Sequence, residues 1–140
     1  MYHRILVAYD GSAGADKALH SAISTAKEHG AELHLVAVEE GLPRYAATAD
    51  EIDAVKEQKD AYYQKLCARA EAEAAAAGIP ITPHVLPGHP STVIPDLGRE
   101  LGCDLIVTGF HGHGNLHARI FGSTCREIIL CSECPVLVVK

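Results

Sequence analysis

A glycine-rich segment late in the chain has residue types and a spacing that suit anion binding. Gly109, Gly112 and Gly122 form the pattern G-x2-G-x9-G-S, which ends at Ser123. Glycines let the backbone approach an anion closely, and successive N–H groups in such turns form a concave anion nest. A helix that begins at Ser123 would add unpaired N–H groups and a positive dipole end. The pattern therefore predicts a phosphate-binding loop.

This loop differs from the familiar nucleotide-binding motifs. No P-loop of the form G-x-x-x-x-G-K-[ST] occurs in the chain, and the dinucleotide fingerprint belongs after the first strand. The first turn reads Asp10-Gly11-Ser12-Ala13-Gly14. It matches neither the H-x-G-H of adenylyl transferases nor the S-G-G-x-D-S of ATP pyrophosphatases, so no motif assigns an enzyme class.

Three histidines in the same loop raise the alternative of a zinc site. His111, His113 and His117 are close in sequence, and histidine is a common metal ligand. Their spacing is not H-E-x-x-H, and the loop contains no cysteine or carboxylate. We therefore predict no metal site formed by the protein alone.

The cysteines raise the alternative of a thiol oxidoreductase. Cys131 and Cys134 form a C-x-x-C, but it follows a predicted helix, whereas a reactive thiolate is stabilised at a helix N-terminus. We interpret both as core or near-core residues, and Cys67, Cys103 and Cys125 as packing residues. An odd count of five fits poorly with a disulfide framework.

Length and charge restrict the class of protein. A chain of 140 residues is long enough for one domain with a core, and we expect a single domain over residues 1–140. The net charge of −6 argues against a nucleic-acid partner, and no apolar run reaches the roughly 20 residues of a membrane span. The N-terminus shows no signal peptide, so the sequence predicts a cytoplasmic protein with reduced cysteines.

Short apolar runs alternate with helical patterns along the chain. Two of these patterns are irregular: prolines 80 and 83 place the third strand at a sheet edge, and Pro95 makes the third helix start late or bend. The long second helix is expected to bury a stripe from Ile52 and Val55 through Tyr62 to Leu66, Ala70 and Ala74. The predicted strands are Ile5–Tyr9, Leu33–Val38, Ile79–Leu86, Asp104–Thr108 and Pro135–Val139, and the predicted helices follow Ser12 and span about Asp50–Ala77, Ser91–Leu101 and Ser123–Cys131.

This alternation predicts an α/β fold with a doubly wound, five-stranded parallel sheet and helices on both faces. Ligands of such sheets bind beyond the carboxyl ends of the strands, where the strand order reverses. With the order 3-2-1-4-5, strands one and four flank that point. Asp10 and Gly109 would then face each other across one crevice.

Taken together, these segments resemble the universal stress protein (UspA-like) family over the whole chain. The first strand with Asp10-Gly11-Ser12 is similar to the family's opening, and Cys134-Pro135-Val136-Leu137-Val138-Val139 is similar to its closing strand. The intact G-x2-G-x9-G-S pattern resembles the ATP-binding branch. The family's fold is Rossmann-like, of the adenine nucleotide alpha hydrolase type.

The resemblance implies roles for individual residues. Asp10 would accept bonds from the ribose hydroxyls, Ala8 lies on the same side of the first strand, and Ala37 would meet adenine with backbone groups. Mg²⁺ would be held mainly by the phosphates of ATP. The loop residues Gly109, His111, Gly112, His113, Gly114 and Asn115 would wrap the ribose and phosphates, and Gly122, Ser123 and Thr124 would hold phosphate oxygens.

Three functions remain open at this point. The first is an ATP-binding regulatory module of the stress response, and the second is a slow ATPase or phosphotransferase. Because Phe110 is bulky and the loop lacks lysine, the third is a partner-binding protein that no longer binds ATP. A regulatory protein partner is expected, and the resemblance and the apolar strand Val136–Val139 both imply a homodimer through that strand.

Overall fold

The computed structural model describes residues 1–40, 48–110 and 123–140. Strands and helices alternate strictly along these ranges, and each predicted element is present with its ends shifted by no more than two residues. The elements are β1 (Arg4–Ala8), α1 (Ala13–His29), β2 (Glu32–Glu39), α2 (Ala49–Ala76), β3 (Ile81–Pro87), α3 (Pro90–Leu101), β4 (Leu105–Gly109), α4 (Ser123–Cys131) and β5 (Val136–Val139).

The five strands form one parallel sheet in the order β3-β2-β1-β4-β5. Ile5 in the central strand pairs with Leu33 of β2 on one side and with Leu105 of β4 on the other. The predicted fold class and strand order are therefore confirmed. β3, which contains Pro83, lies at the edge as predicted, and β5 forms the opposite edge.

Both faces of the sheet are covered, which is why its inner strands are continuous apolar runs. Ile5, Val7 and Leu35 point into a core shared with α1 and α2. Leu6 and Ile106 point into a second core shared with α3 and α4. The two cores fix the strands so that their carboxyl ends form one edge of the sheet.

The helix ends follow from local chemistry. The Ser12 hydroxyl accepts from the Ala15 N–H and caps α1, which ends at Gly30 in the left-handed region. Thr48 and Glu51 form a reciprocal capping box at the start of α2. No helix in the described ranges is long and apolar enough to cross a membrane.

The structure corrects the predicted burial of α2. Its buried residues are Leu66, Cys67, Ala70 and Ala74, all in the C-terminal half. The predicted stripe was wrong at its start, since Ile52 is 42% exposed and Tyr62 is 51% exposed.

The other corrections concern a proline and a cysteine. α3 begins at Pro90 and continues through Pro95, so of the two predicted alternatives the late start was wrong. Burial of the Pro95 ring offsets the hydrogen bond that its missing N–H cannot make. Cys67, Cys103 and Cys125 are buried as predicted, whereas Cys131 is exposed at the end of α4. Burial raises the pKa of the Cys103 thiol to about 11, which disfavours a reactive thiolate.

Candidate functional site

A cavity of about 390 Å³ lies beyond the carboxyl ends of β1 and β4. Here the connection after β1 runs to one face of the sheet and the connection after β4 runs to the other face. Ligands of doubly wound folds usually bind at such a point. Residues from seven elements or their ends line it: Ala8, Asp10 and Ser12; Val36, Val38 and Glu40; Tyr62 and Tyr63; Pro90 and Ile94; Gly109 and Phe110; and Ser123 and Thr124.

Asp10 stands at the mouth of this cavity in a defined turn. One of its carboxylate oxygens accepts the Ser12 N–H at 2.9 Å, and Gly11 between them has φ +78°. Such a turn is suited to glycine because other residues rarely adopt positive φ. The same Ser12 caps α1, so the turn and the helix start hold the carboxylate against the cavity.

Gly109 lines the opposite side of the crevice, as the predicted topology requires. Its lack of a side chain also serves packing: a Cβ here would lie 2.8 Å from the backbone C and O of Gly14 in α1. β4 and α1 therefore approach each other through two glycines. Sequence reasoning had assigned Gly109 to anion approach and missed this contact.

The first turn of α4 forms another part of the wall. Ser123 and Thr124 are its first two residues and both line the cavity, so the N-terminal end of the helix dipole faces the space where an anion would bind. The candidate residues His111, Gly112, His113, Gly114, Asn115 and Gly122 lie outside the described residues.

The wall from β2 is formed by Val36 and Val38 rather than by Ala37, whose side chain is buried in the core beneath α1 and α2. The backbone N–H and C=O groups of β2 also alternate, pointing in turn toward β1 and toward β3. The carbonyl of Val36 accepts from Tyr9, which follows β1, whereas the carbonyl of Glu39 accepts from Gly88 beyond β3. Because this direction alternates, the backbone groups of Val38 face the gap above β1, and those of Ala37 face β3. The contact predicted for Ala37 therefore fits its neighbour Val38 better.

Two tyrosines of α2 close the cavity beside β2, and sequence reasoning did not place them there. Tyr62 and Tyr63 meet edge to face, with ring centroids 5.1 Å apart. The Tyr63 hydroxyl donates to the Val38 carbonyl at 3.3 Å. Burial raises the pKa of Tyr63, and the nearby Glu39 raises it further, so this hydroxyl stays protonated as a donor. Two adjacent tyrosines in a polar helix were the available signal.

A polar network that is only partly buried joins Tyr9, next to Asp10, to the two neighbouring helices. The Tyr9 hydroxyl donates to Asp16 of α1 at 2.7 Å, and Arg69 of α2 donates to the other oxygen of the same carboxylate at 2.5 Å. Burial, with the bond to Asp16, raises the pKa of Tyr9 well above its ordinary range. The network joins β1, α1 and α2 directly beneath Asp10.

The described lining of the cavity contains two carboxylates, Asp10 and Glu40, and neither lysine nor arginine. Within the described ranges no group of three or more His, Cys, Asp or Glu residues is arranged to hold a metal ion. An anionic ligand would therefore contact helix and backbone N–H groups and hydroxyls on this part of the wall.

Comparison with known proteins matches this architecture to one family. The family model described as "Universal stress protein family" matches residues 1–140. The chain belongs to the universal stress protein family. Universal stress protein YxiE of Bacillus subtilis is 31% identical over 150 residues, which cover all of both chains.

Solved universal stress proteins show the same fold. UspA from Lactobacillus plantarum superposes with a TM-score of 0.88 at 24% identity, covering 99% of this chain and 98% of that one. A universal stress protein from Archaeoglobus fulgidus, described as a complex with dAMP, has a TM-score of 0.66 at 25% identity, covering 99% and 98%.

Proposed function

We propose that this universal stress protein binds an adenine nucleotide, ATP with Mg²⁺, and acts as a nucleotide-dependent regulatory module in a stress response. The observation that carries the proposal is the cavity at the β1–β4 switch point. It brings Asp10, Gly109 and the start of α4 around one space. The dAMP complex of the related A. fulgidus protein supports an adenine nucleotide as the ligand.

The proposed pose follows from the chemistry of the walls. Asp10, with Ala8 beneath it, accepts hydrogen bonds from the ribose hydroxyls. Ser123 and Thr124 hold phosphate oxygens at the positive end of α4. The base then lies toward β2, where the backbone groups of Val38 meet its edge. The loop residues 109–115 and Gly122, assigned from the glycine pattern, complete the wrap around the ribose and phosphates.

Mg²⁺ fits this arrangement as an ion held mainly by the nucleotide. Magnesium prefers oxygen ligands and usually keeps several waters, with substrate phosphates as principal ligands. The described walls supply hydroxyls at Ser123 and Thr124 and a carboxylate at Asp10. These oxygens suit contact with a hydrated ion, and Mg²⁺ would offset phosphate charge.

We propose binding rather than turnover as the activity of this site. Asp10 takes part in its own turn, and Glu40 follows the end of β2 near the tyrosines of α2. The bond from the Ser12 N–H holds the Asp10 carboxylate in the turn, which favours a role in positioning the nucleotide over one as a general base for an attacking water.

Two further features complete the proposal. We propose a homodimer through β5, because this outer strand carries an exposed Leu137. We also propose a cytoplasmic location with a regulatory protein partner. All five cysteines are free thiols, as is usual in a reducing compartment.

A thermal-shift experiment tests the nucleotide proposal. A ligand that binds only the native state adds about 2.7 kcal/mol at one hundred times Kd, which raises Tm by about 5–10 °C here. ATP with Mg²⁺ should give this shift in the wild type, and AMP a smaller one because it lacks the outer phosphates. Asp10→Ala should reduce the shift, whereas Asp53→Ala on the exposed part of α2 should not. No ATP shift in the wild type, or a full shift in Asp10→Ala, contradicts the proposed site.

A further inference from the structure

We infer that Tyr62 of α2 is the residue on which the nucleotide base stacks and that it gives the site a preference for purines. This inference rests on the proposed nucleotide site. The argument begins with how α2 is held over the cavity. The Lys59 ammonium donates to the Glu40 carbonyl at 2.8 Å, and the Tyr63 hydroxyl donates to the Val38 carbonyl at 3.3 Å.

These two bonds work as a pair because residues four apart lie on the same face of a helix. Lys59 and Tyr63 fasten that face to the carbonyls of Glu40 and Val38, two residues apart at the end of β2. Tyr62 is adjacent to Tyr63, so its position is fixed by the same contacts. Its ring therefore stands beside the cavity although half of the residue is exposed.

The position of Tyr62 relative to the β1–α1 turn places it on the nucleoside side of the cavity. Its hydroxyl lies 4.0 Å from where a Cβ on Gly11 would be, which is next to Asp10. Ser123 and Thr124, the proposed phosphate contacts, belong to α4 beyond β4. A ligand with its ribose at Asp10 and its phosphates at α4 directs its base toward β2 and α2.

Exposure and chemistry make Tyr62 suited to stacking. Tyr62 is 51% exposed, whereas Tyr63 is partly buried and contacts Tyr62 edge to face. A flat base placed against Tyr62 would remove aromatic surface from water and gain ring–ring attraction. A two-ring purine covers more of the tyrosine face than a one-ring pyrimidine does, so stacking favours adenine over cytosine.

The test measures affinities of the full-length protein by titration calorimetry with three probes: ATP, CTP and inorganic tripolyphosphate, each with Mg²⁺. Tyr62→Phe keeps the ring and should keep the affinity for ATP. Tyr62→Leu keeps apolar bulk without the ring and should weaken ATP about tenfold, with a smaller loss for CTP. Tripolyphosphate has no base, so its binding should not change. Ile52→Ala, an exposed position on the same helix outside the cavity, is the matched control.

The outcomes separate this inference from the function on which it rests. If the wild type binds no ATP, the proposed function fails and the stacking role fails with it. If Tyr62→Leu keeps the ATP affinity and the ATP-to-CTP ratio of the wild type while Asp10→Ala binds ATP more weakly, the site stands and the stacking role is wrong. A fall in tripolyphosphate binding equal to the fall in ATP binding would show a change in α2 packing and would also overturn the inference.

Discussion

Gly109 combines two requirements at one position. It lines the cavity, where a short backbone distance to an anion is useful, and it lies against the backbone of Gly14, where a Cβ would come within 2.8 Å. The second requirement applies to the packing of the fold itself and does not depend on a ligand. A glycine in a binding motif can therefore be required for packing before any ligand is present.

We predict that Gly109→Ala lowers the stability of the unliganded protein. The clashing atoms are backbone atoms of α1, which move only with the helix, and overpacking of this kind costs about 1–3 kcal/mol. For a chain of this size Tm should fall by about 3–9 °C. Differential scanning calorimetry of the wild type and the variant without nucleotide measures this change in Tm.

Gly98→Ala is the matched control for this prediction. A Cβ at Gly98 would meet the end of the Ile106 side chain at 2.9 Å, and that methyl group can rotate away. Alanine also favours the helical backbone of α3. A loss of stability in Gly98→Ala as large as that in Gly109→Ala would show that the backbone contact with Gly14 is not the cause.

The position of a single residue could be predicted from the sequence where it depends only on where a strand ends. Asp10 and Gly109 follow neighbouring parallel strands, so the topology brings them to one cavity whatever the side chains elsewhere. Tyr62 could not be placed in the same way, because its position depends on where a long helix crosses the end of β2. In β2 the side chain of Val38 lines the cavity and that of Ala37 lies in the core, because one residue along a strand reverses the side to which it points. The adenine contact expected of Ala37 stays a prediction.

At the scale of elements, α2 shows why a helical pattern overestimates burial. Its 28 residues extend about 42 Å, whereas the eight residues of β2 extend about 26 Å. The sheet is therefore too short to cover the whole helix, and its N-terminal half projects past the core. The periodicity of Ile52 and Val55 is real, but the sequence does not reveal that the sheet ends before it reaches them.

A histidine pair joins the edge strand β3 to β2. Nδ1 of His34 and Nε2 of His84 are 3.0 Å apart, with ring centroids 5.3 Å apart and planes 24° apart. Because the ring centroids lie much farther apart than the two nitrogens, the rings meet edge to edge through a hydrogen bond and do not lie face to face. Glu32, paired with Arg4 of β1, lies 3.5 Å from the other nitrogen of His34.

We predict that this pair makes stability depend on pH. Burial, and then the nearby His34, lowers the pKa of His84 below its ordinary value of 6.5. The unfolded chain therefore binds the proton more readily, and stability falls as the pH drops below about 6.5.

Thermal unfolding at about pH 7.5 and about pH 5.5 measures this effect. His84→Gln cannot titrate, so its Tm should fall less between the two conditions than that of the wild type. His3→Gln, an exposed histidine before β1, is the control and should behave as the wild type does. Equal pH dependence in His84→Gln and the wild type would contradict the role of the pair.

At the scale of the whole molecule, the fold class and strand order could be predicted because strand–helix alternation and right-handed crossovers leave few arrangements. The two edges that result differ in chemistry. β3 contains Pro83 and Pro87, which lack an N–H group and limit pairing with another strand. β5 is four apolar residues, and beside it α4 carries Leu130 at 71% exposure.

The last prediction is that the protein is a homodimer through β5. Within the described residues β5 has β4 as its one neighbouring strand. Pairing of its outer edge with the same strand of a second copy across a two-fold axis would satisfy backbone groups on both strands and cover Leu137. Leu137→Lys places a charge at this surface and faces its own symmetry mate, so the dimer should dissociate. Leu137 is 40% exposed, so the fold should survive its replacement.

Val85→Lys on β3 is the matched control, because Val85 is also 40% exposed on an edge strand. This substitution should leave the dimer intact. Sedimentation velocity at about 50 μM distinguishes the two states, since the mass of the chain alone is 14.9 kDa. A monomeric wild type, or dissociation by Val85→Lys and not by Leu137→Lys, would overturn the assignment of β5 as the interface.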